Sequence, residues 1–484
     1  MIVNRDRAGL REGPAVLLIL ALSAVGICLY GYFLFSRGPV FSSAALLFVL
    51  IFFASLLKLE FGIGAILLSM LLSPEIPIAH TQVRTVTLRL EDLMIIVVGL
   101  AFIGRSALHL GKRRFVPTRL FAPIMLYLAF LFLTTLRGSF LGLVDFTSSI
   151  MYLGKLLEFF LFFFLTVQYV DNLRKVKVLL VVALCTALIL AFYNFLQIPT
   201  VEIFTTHRIT APFEGSVPEP STVGGYFLMA LSIILAMALH APNVSTRNGF
   251  LLLFVLIFIP FLYTLSRTSY VGFVVMMLAF MILTRNRKLL AVFLIFVILS
   301  PFLAPKKVID RVAYTFNDRI KVFGLFDRSL GERIFVWNKV AWNLRERPLL
   351  GGGVTKDNII DGYYARLLIE SGLIGFCLFA FIAYRIFQTG LAVYRKSDVW
   401  WVRGFGVGYL VGFIGLLVHA FSAITFYIVR IMEPFWALTG ILFAIDCLRR
   451  EAEKSRETAD TAAPAGVTGQ AERAVIAVRE QTSS

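Results

Sequence analysis

Ser266-Arg267-Thr268 places a guanidinium between two apolar runs, where an arginine is costly unless solvated or paired. Such a group can grip two oxygens of a phosphate through paired hydrogen bonds. It can equally close a short polar turn with its charge snorkelling to water. Arg208 offers a second guanidinium, followed by the turn-rich Ala211-Pro212-Phe213-Glu214 and Pro218-Glu219-Pro220-Ser221. Arg366 and Glu370 stand four apart, close enough to pair on a helix. Glu370 falls about 12 Å beyond Gly362 along that helix. That depth makes it either an intramembrane carboxylate with a function or half of a structural clamp. Lys155 and Glu158, three apart, read as structural or as lining a cavity. His419 is a lone histidine in an apolar run, either packed and hydrogen-bonded or catalytic. Gly351-Gly352-Gly353 allows tight backbone geometry or close approach to a ligand. No Gly-Lys-Ser/Thr follows it, so it is not a nucleotide-binding Walker loop.

The elements that position these groups are membrane spans. Hydrophobic residues make up 59% of the 484 residues and charged residues 15%, against about 25% charged in soluble domains. The apolar blocks run to roughly 17–25 residues, the length that crosses a hydrocarbon core. Candidate spans are 14–35, 39–57, 60–73, 92–110, 119–135, 147–170, 174–195, 218–240, 249–265, 268–284, 288–304, 363–389, 404–426 and 431–448. The expected fold is an all-α polytopic membrane protein of about 14 transmembrane helices. The first block follows Arg5, Arg7 and Arg11 and reads as a retained helix, not a cleaved signal. Cys28, Cys185, Cys377 and Cys447 lie far apart in or beside apolar blocks, with no metal-ligand spacing.

The net charge of +17 excludes nothing by itself, but its placement argues against nucleic acid. The basic clusters at 105–119, 174–177, 285–288, 395–396 and 449–450 all fall on one side, the cytoplasmic side by the positive-inside rule. Both termini then lie inside. Four units follow: a bundle over 1–304 (spans 1–11), an outer loop over 305–360, a second bundle over 361–450 (spans 12–14) and a disordered cytoplasmic tail over 451–484. The outer loop breaks the charge pattern, with eleven Lys and Arg against six Asp and Glu, a net of +5. Membrane lipid headgroups or an anionic substrate would account for that excess. Ile334, Trp337, Ala341 and Leu344 fall at helical spacing, so 332–345 reads as an amphipathic helix ended by Pro348.

Taken in order, these pieces resemble the bacterial O-antigen ligase and O-antigen/exopolysaccharide polymerase superfamily over about 200–440. The matching stretches are Leu265-Ser266-Arg267-Thr268, then Arg333 with Trp337 and Pro348-Leu349-Leu350-Gly351, then Asp361 to Gly375. In the last stretch Tyr364, Leu368, Glu370, Gly372 and Gly375 align with the family pattern. Asp361 stands where the ligases carry histidine, and Gly362 replaces an asparagine. That departure favours a polymerase over a strict ligase.

The resemblance implies a C-type glycosyltransferase fold in the bacterial inner membrane, with the 305–360 loop in the periplasm. It implies a glycan donor on undecaprenyl diphosphate and neither a cofactor nor a catalytic metal. Flippase and chain-length regulator proteins are the candidate protein partners. Arg208 and Arg267, then Arg333, would stabilise charge on the leaving diphosphate. Asp361, with Glu219 and Glu370 as alternatives, would accept the proton of the attacking hydroxyl in one inverting displacement. An O-antigen ligase acting on a lipid A core, and a lipid-linked glycan flippase, are the rival readings.

Overall fold

Lipid offers no hydrogen bonds, so long apolar runs close their own as helices. The computed structural model describes residues 39–70, 73, 75–80, 85–107, 116–202, 208–212, 219–287, 305–313, 321–322, 326–357 and 361–462, with scattered positions from 291 to 302. The chain begins with α1 (Pro39–Leu57), α2 (Leu59–Ser69), a hairpin of β1 (Glu75–His80) and β2 (Thr85–Arg89), and α3 (Leu90–Ala107). There follow α4 (Phe121–Phe140), α5 (Phe146–Tyr169), α6 (Leu173–Gln197), α7 (Pro220–His240), α8 (Val244–Tyr263) and α9 (Arg267–Thr284). The segment between the bundles holds α10 (Lys306–Ala313), the short pair β3 (Lys321–Val322) and β4 (Phe326–Asp327), and α11 (Arg328–Glu346). The last helices are α12 (Tyr363–Lys396), α13 (Trp400–His419) and α14 (Val429–Ala462).

This is a nearly all-helical, polytopic membrane protein. Among the described residues, nine helices are long and apolar enough to cross a membrane, and they coincide with nine of the expected spans. Three further expected spans fall on α1, α2 and α3. The described apolar part of α1 is Leu46–Leu57, α2 is short, and α3 carries Glu91, Asp92 and Arg105. The span expected at 14–35 lies outside the described residues, and that at 288–304 largely does. Helix α14 continues past the end of its expected span to Ala462, and 463–484 lie outside the described residues.

Small residues decide which helices reach the centre. In α7, 94% of the span is buried, against 17% in α8. Gly404, Gly408 and Gly412 form one row along α13, four residues apart. A Cβ at Gly412 would sit 2.3 Å from Ser232 Oγ of α7, and one at Gly408 2.7 Å from the Ile233 Cα. Gly272 of α9 and Gly415 of α13 face each other in the same way, each Cβ falling close to the other's carbonyl. Such rows let helix backbones approach where lipid supplies no hydrophobic drive.

The apolar run of α12 looks continuous in sequence, yet the helix breaks at Gly372 (φ 62°, ψ −164°). The Pro348–Gly353 backbone repairs the broken ladder. Gly352 N donates to Ile369 O (2.9 Å), Gly353 N to Glu370 O (2.8 Å) and Leu373 N to Pro348 O (2.9 Å). A Cβ on Gly351 would lie 2.6 Å from the Glu370 carbonyl. The three glycines therefore serve close approach of backbone to a helix. Their loop is also tied to α4 and α5: Val354 N donates to Thr135 Oγ1 (3.1 Å) and Ser149 Oγ to Val354 O (2.8 Å).

Candidate functional site

Four helix ends meet at one end of the bundle. Gly224, in the first turn of α7, packs on Ser269 in the first turn of α9, so closely that a Cβ would fall 2.2 Å from Ser269 Oγ. Ser269 Oγ contacts His419 Nε2 (3.2 Å) at the end of α13, and His419 Nδ1 contacts Thr425 Oγ1 (2.8 Å). The start of α12 hangs on the same turn, where Tyr363 N donates to Ala420 O (2.9 Å) and Ala423 O (3.0 Å). His419 is fully buried with both ring nitrogens engaged, so it is a strut between α9 and α13. Three of the four ends are helix N-termini, whose dipoles favour a nearby anion.

Arg267 opens α9, with Ser266 as the N-cap accepting from Ser269 N. The residue before, Leu265, is buried with φ 50°. A leucine in the left-handed region is strained, and such strain persists only where surrounding contacts hold it. One of those contacts is Arg311 of α10, whose Nε donates to Leu265 O (3.4 Å). The same helix reaches the end of α6, where Lys307 Nζ donates to Val201 O (2.7 Å). The segment carrying Arg208 is pinned there too. Thr210 N donates to Gln197 Oε1 (3.0 Å), and Asn194 Nδ2 donates to Thr210 O (2.9 Å).

These anchors bring Arg208 and Arg267 into mutual range. Burial, and next the positive charge of Arg267, pull the Arg208 pKa below its ordinary value. A guanidinium nonetheless stays charged. Arg208 Nε is buried without a hydrogen-bond partner. Two like charges held in range and partly desolvated repel each other, a repulsion that an anion between them would relieve. Arg311 of α10 supports the Leu265 carbonyl, two residues before Arg267. Sequence reasoning noted the basic excess of this loop but did not single out Arg311. Its signal was the Lys307 and Arg311 spacing of four on a short, strongly amphipathic helix. Arg333 lies on α11, and its side chain is outside the described residues.

The three carboxylates sit in three environments. Glu219 is the half-buried N-cap residue of α7, with no side-chain cap bond. Asp361 is exposed beside the α12 start. The N-cap of α12 is Gly362 (φ 111°), without any side-chain cap bond, so Asp361 does not cap this helix. Glu370 is fully buried and closed off. Its Oε1 accepts from Arg366 Nε (2.8 Å) and Thr355 N (2.9 Å), and its Oε2 accepts from Tyr427 OH (2.6 Å). The fold thus brings Arg208 and Arg267 into range, holds Arg311 on the Leu265 carbonyl, ties the helices that follow Glu219 and Asp361 to the same end, and places Glu370 in a separate clamp.

Residues 252–380 match the O-antigen ligase family. The match runs from α8 into α12 and takes in Arg267, Arg311, Arg333, Asp361 and Glu370, while Arg208, Glu219 and His419 fall outside it. No curated protein matches the chain. This multi-pass membrane protein is therefore similar over residues 252–380 to the O-antigen ligase family, which is consistent with the ligase and polymerase superfamily. Glycosyl transfer of the ligase and polymerase type, on lipid-linked glycans in the membrane, is the activity this family supports.

Proposed function

We propose that the protein polymerises undecaprenyl-diphosphate-linked oligosaccharide repeat units at the periplasmic face of the inner membrane, with both termini in the cytoplasm. The observation that carries this reading is the Arg208 and Arg267 socket, at a bundle end where three helix N-termini converge. The lipid tail stays in the bilayer while the diphosphate enters the socket. A sugar hydroxyl of the acceptor attacks the anomeric carbon of the donor glycan. The bond from that carbon to the diphosphate oxygen breaks, and its electron pair leaves on the diphosphate. Arg208 and Arg267 stabilise that charge, most strongly where water is excluded, with Arg333 a further candidate from its place in the family pattern. The hydroxyl proton passes to Asp361, which is exposed and unburdened by capping. Glu219 is the alternative acceptor. Glu370 serves the site through its clamp, since both its oxygens are already engaged. One displacement inverts the anomeric centre, with guanidinium groups in place of a metal.

The matched family's description favours a second reading, O-antigen ligase, in which the acceptor is a lipid A core sugar. Asp361-Gly362 in place of the ligase His-Asn pair favours polymerisation. Deleting the gene and analysing lipid-linked glycans separates them. Single repeat units left on the lipid carrier support the polymerase. Long polymer left on the carrier identifies a ligase instead. Repeat units trapped facing the cytoplasm identify a flippase and overturn both.

A further inference from the structure

Among the described residues, a second buried group of charges joins α3, α5 and α14. Glu91 and Asp92 lie in the first turn of α3, and Glu433 in the first turns of α14. All three are buried, Glu91 and Glu433 completely. Their carboxylate oxygens converge, with one ligand atom from each lying within 4.8 Å of the others. Glu158 of α5 adds a fourth carboxylate beside them, linked through Lys155, which pairs with both Glu158 (3.3 Å) and Asp92.

The cations present do not satisfy this group. Lys155 engages one oxygen of Asp92 and one of Glu158. Arg89 comes only within 3.8 Å of Glu91. Arg430 turns its Nη2 to the Ser73 carbonyl (3.5 Å). Both oxygens of Glu433 are left without a hydrogen-bond partner, as are Oδ1 of Asp92 and Oε1 of Glu158, while Glu91 has Ser73 and Arg89 beside it. Glu433 decides the matter: it is fully buried, unpartnered, and aimed at two other carboxylates. Buried acceptors without donors are rare, and a bound ion is one way to satisfy them, since a charge left unpaired there is strongly destabilising.

We propose that Glu91, Asp92 and Glu433 bind a hard divalent cation, of the Ca²⁺ or Mg²⁺ class, with Glu158 completing the oxygen set. The donors are all carboxylate oxygens, with neither imidazole nor thiolate, which selects hard ions over zinc or copper. The ion would be structural. It would fasten the first turns of α3 and α14 to α5, just beyond Tyr427, whose hydroxyl holds Glu370. The site does not depend on the glycosyl-transfer reading, and its test needs no transfer assay.

Full-length protein, purified in detergent and stripped with chelator, is titrated with Mn²⁺ and followed by electron paramagnetic resonance. Binding of about one Mn²⁺ per chain is expected, displaced by Ca²⁺ or Mg²⁺ and accompanied by a higher melting temperature. Glu433→Gln should weaken binding by at least about 10–100-fold. Glu91→Gln should do the same and covers the case in which the first variant fails to fold. Glu202→Gln, at an exposed carboxylate of another segment, should bind as wild type. Absence of bound Mn²⁺ at millimolar concentration in folded wild-type protein overturns the proposal, because protons then satisfy the cluster. Wild-type affinity in both glutamine variants overturns it as well.

Discussion

Arg267 and Arg366 are arginines of one membrane protein held at helix beginnings, yet the fold treats them oppositely. Arg366 is 1% exposed and its countercharge comes from the chain. Glu370 takes its Nε, Tyr427 lies 4.3 Å below its guanidinium and Tyr152 5.3 Å away. Arg267 is half-buried, and its charged neighbour Arg208 repels it. A closed pair has spent its electrostatic energy on structure. A cationic pair is unfavourable until an anion arrives, and that anion then gains from both charges. Charge in a membrane bundle therefore serves structure where opposite charges close on each other, and a pair of like charges is where a bound anion gains most.

The sharpest break of this comparison is at Arg267. Arg267→Lys keeps the charge but loses the fork that spans two phosphate oxygens. Transfer with purified protein and lipid-linked repeat units should fall about 10²–10³-fold, the scale for removing one preorganised donor. The melting temperature should hold. Normal turnover in Arg267→Ala would remove the residue from the site. The matching change in the clamp is Glu370→Gln, which strands Arg366 as a buried charge. Breaking one side of such a pair costs about 3–5 kcal/mol, so the yield of folded protein and its melting temperature should collapse together. A Glu370→Gln protein that melts like wild type but transfers no glycan would make Glu370 part of the chemistry instead.

The two regions differed in how far they could be read from sequence. The spans were legible because the apolar runs of α4 to α9 have the length that lipid imposes. The Arg366–Glu370 pair was legible because four-residue spacing makes helix neighbours. The break at Gly372 was hidden, since a single glycine inside an apolar run also fits an unbroken helix. The partner of that break, Gly351-Gly352-Gly353, was visible as flexible backbone, but what it approaches depends on a long-range fold. Arg208 and Arg267 stood out in the sequence as candidate phosphate ligands, both by residue type and Arg267 also by the family pattern. Their nearness did not, because it depends on Asn194 and Gln197 pinning the 208–212 segment. The grouping of Glu91 with Glu433 joins α3 to α14 across most of the chain and left no local signal.

Asp361 probes the rim of the open region with a smaller expected effect. Asp361→Asn should leave the fold intact, because the α12 start is held by Tyr363 N on Ala420 O and Ala423 O. Removing a proton acceptor should slow transfer by about 10²-fold, and raising pH should not restore it, since an amide gains no basicity. Binding of the lipid diphosphate should persist. Asp361→His supplies a different acceptor and should recover part of the rate. Wild-type turnover in Asp361→Asn would end the base assignment and direct the same test to Glu219.

The mildest variant, Arg311→Ala, separates two roles that one guanidinium can hold. Its Nε supports the carbonyl of strained Leu265, two residues before Arg267, and a charge so placed could also act on an anion bound by Arg267. A purely supporting role predicts a slower rate through misplacement of Arg267, with diphosphate affinity falling only as far as Arg267 moves. A charge role predicts weaker binding of the anion itself, about tenfold for the loss of one charge-assisted hydrogen bond of about 1.5 kcal/mol. Inhibition by inorganic pyrophosphate reads that affinity without the glycan. The expected result is a pyrophosphate inhibition constant raised about tenfold in Arg311→Ala, with Arg311→Lys near wild type because an ammonium keeps the charge. Lys307→Ala is the control on the same helix, since its ammonium is turned to Val201 O and should matter for docking of α10 alone. Equal inhibition constants in Arg311→Ala and wild type, with a reduced turnover in the variant, would leave Arg311 as a prop for Leu265 and confine the socket to the two arginines legible in the sequence.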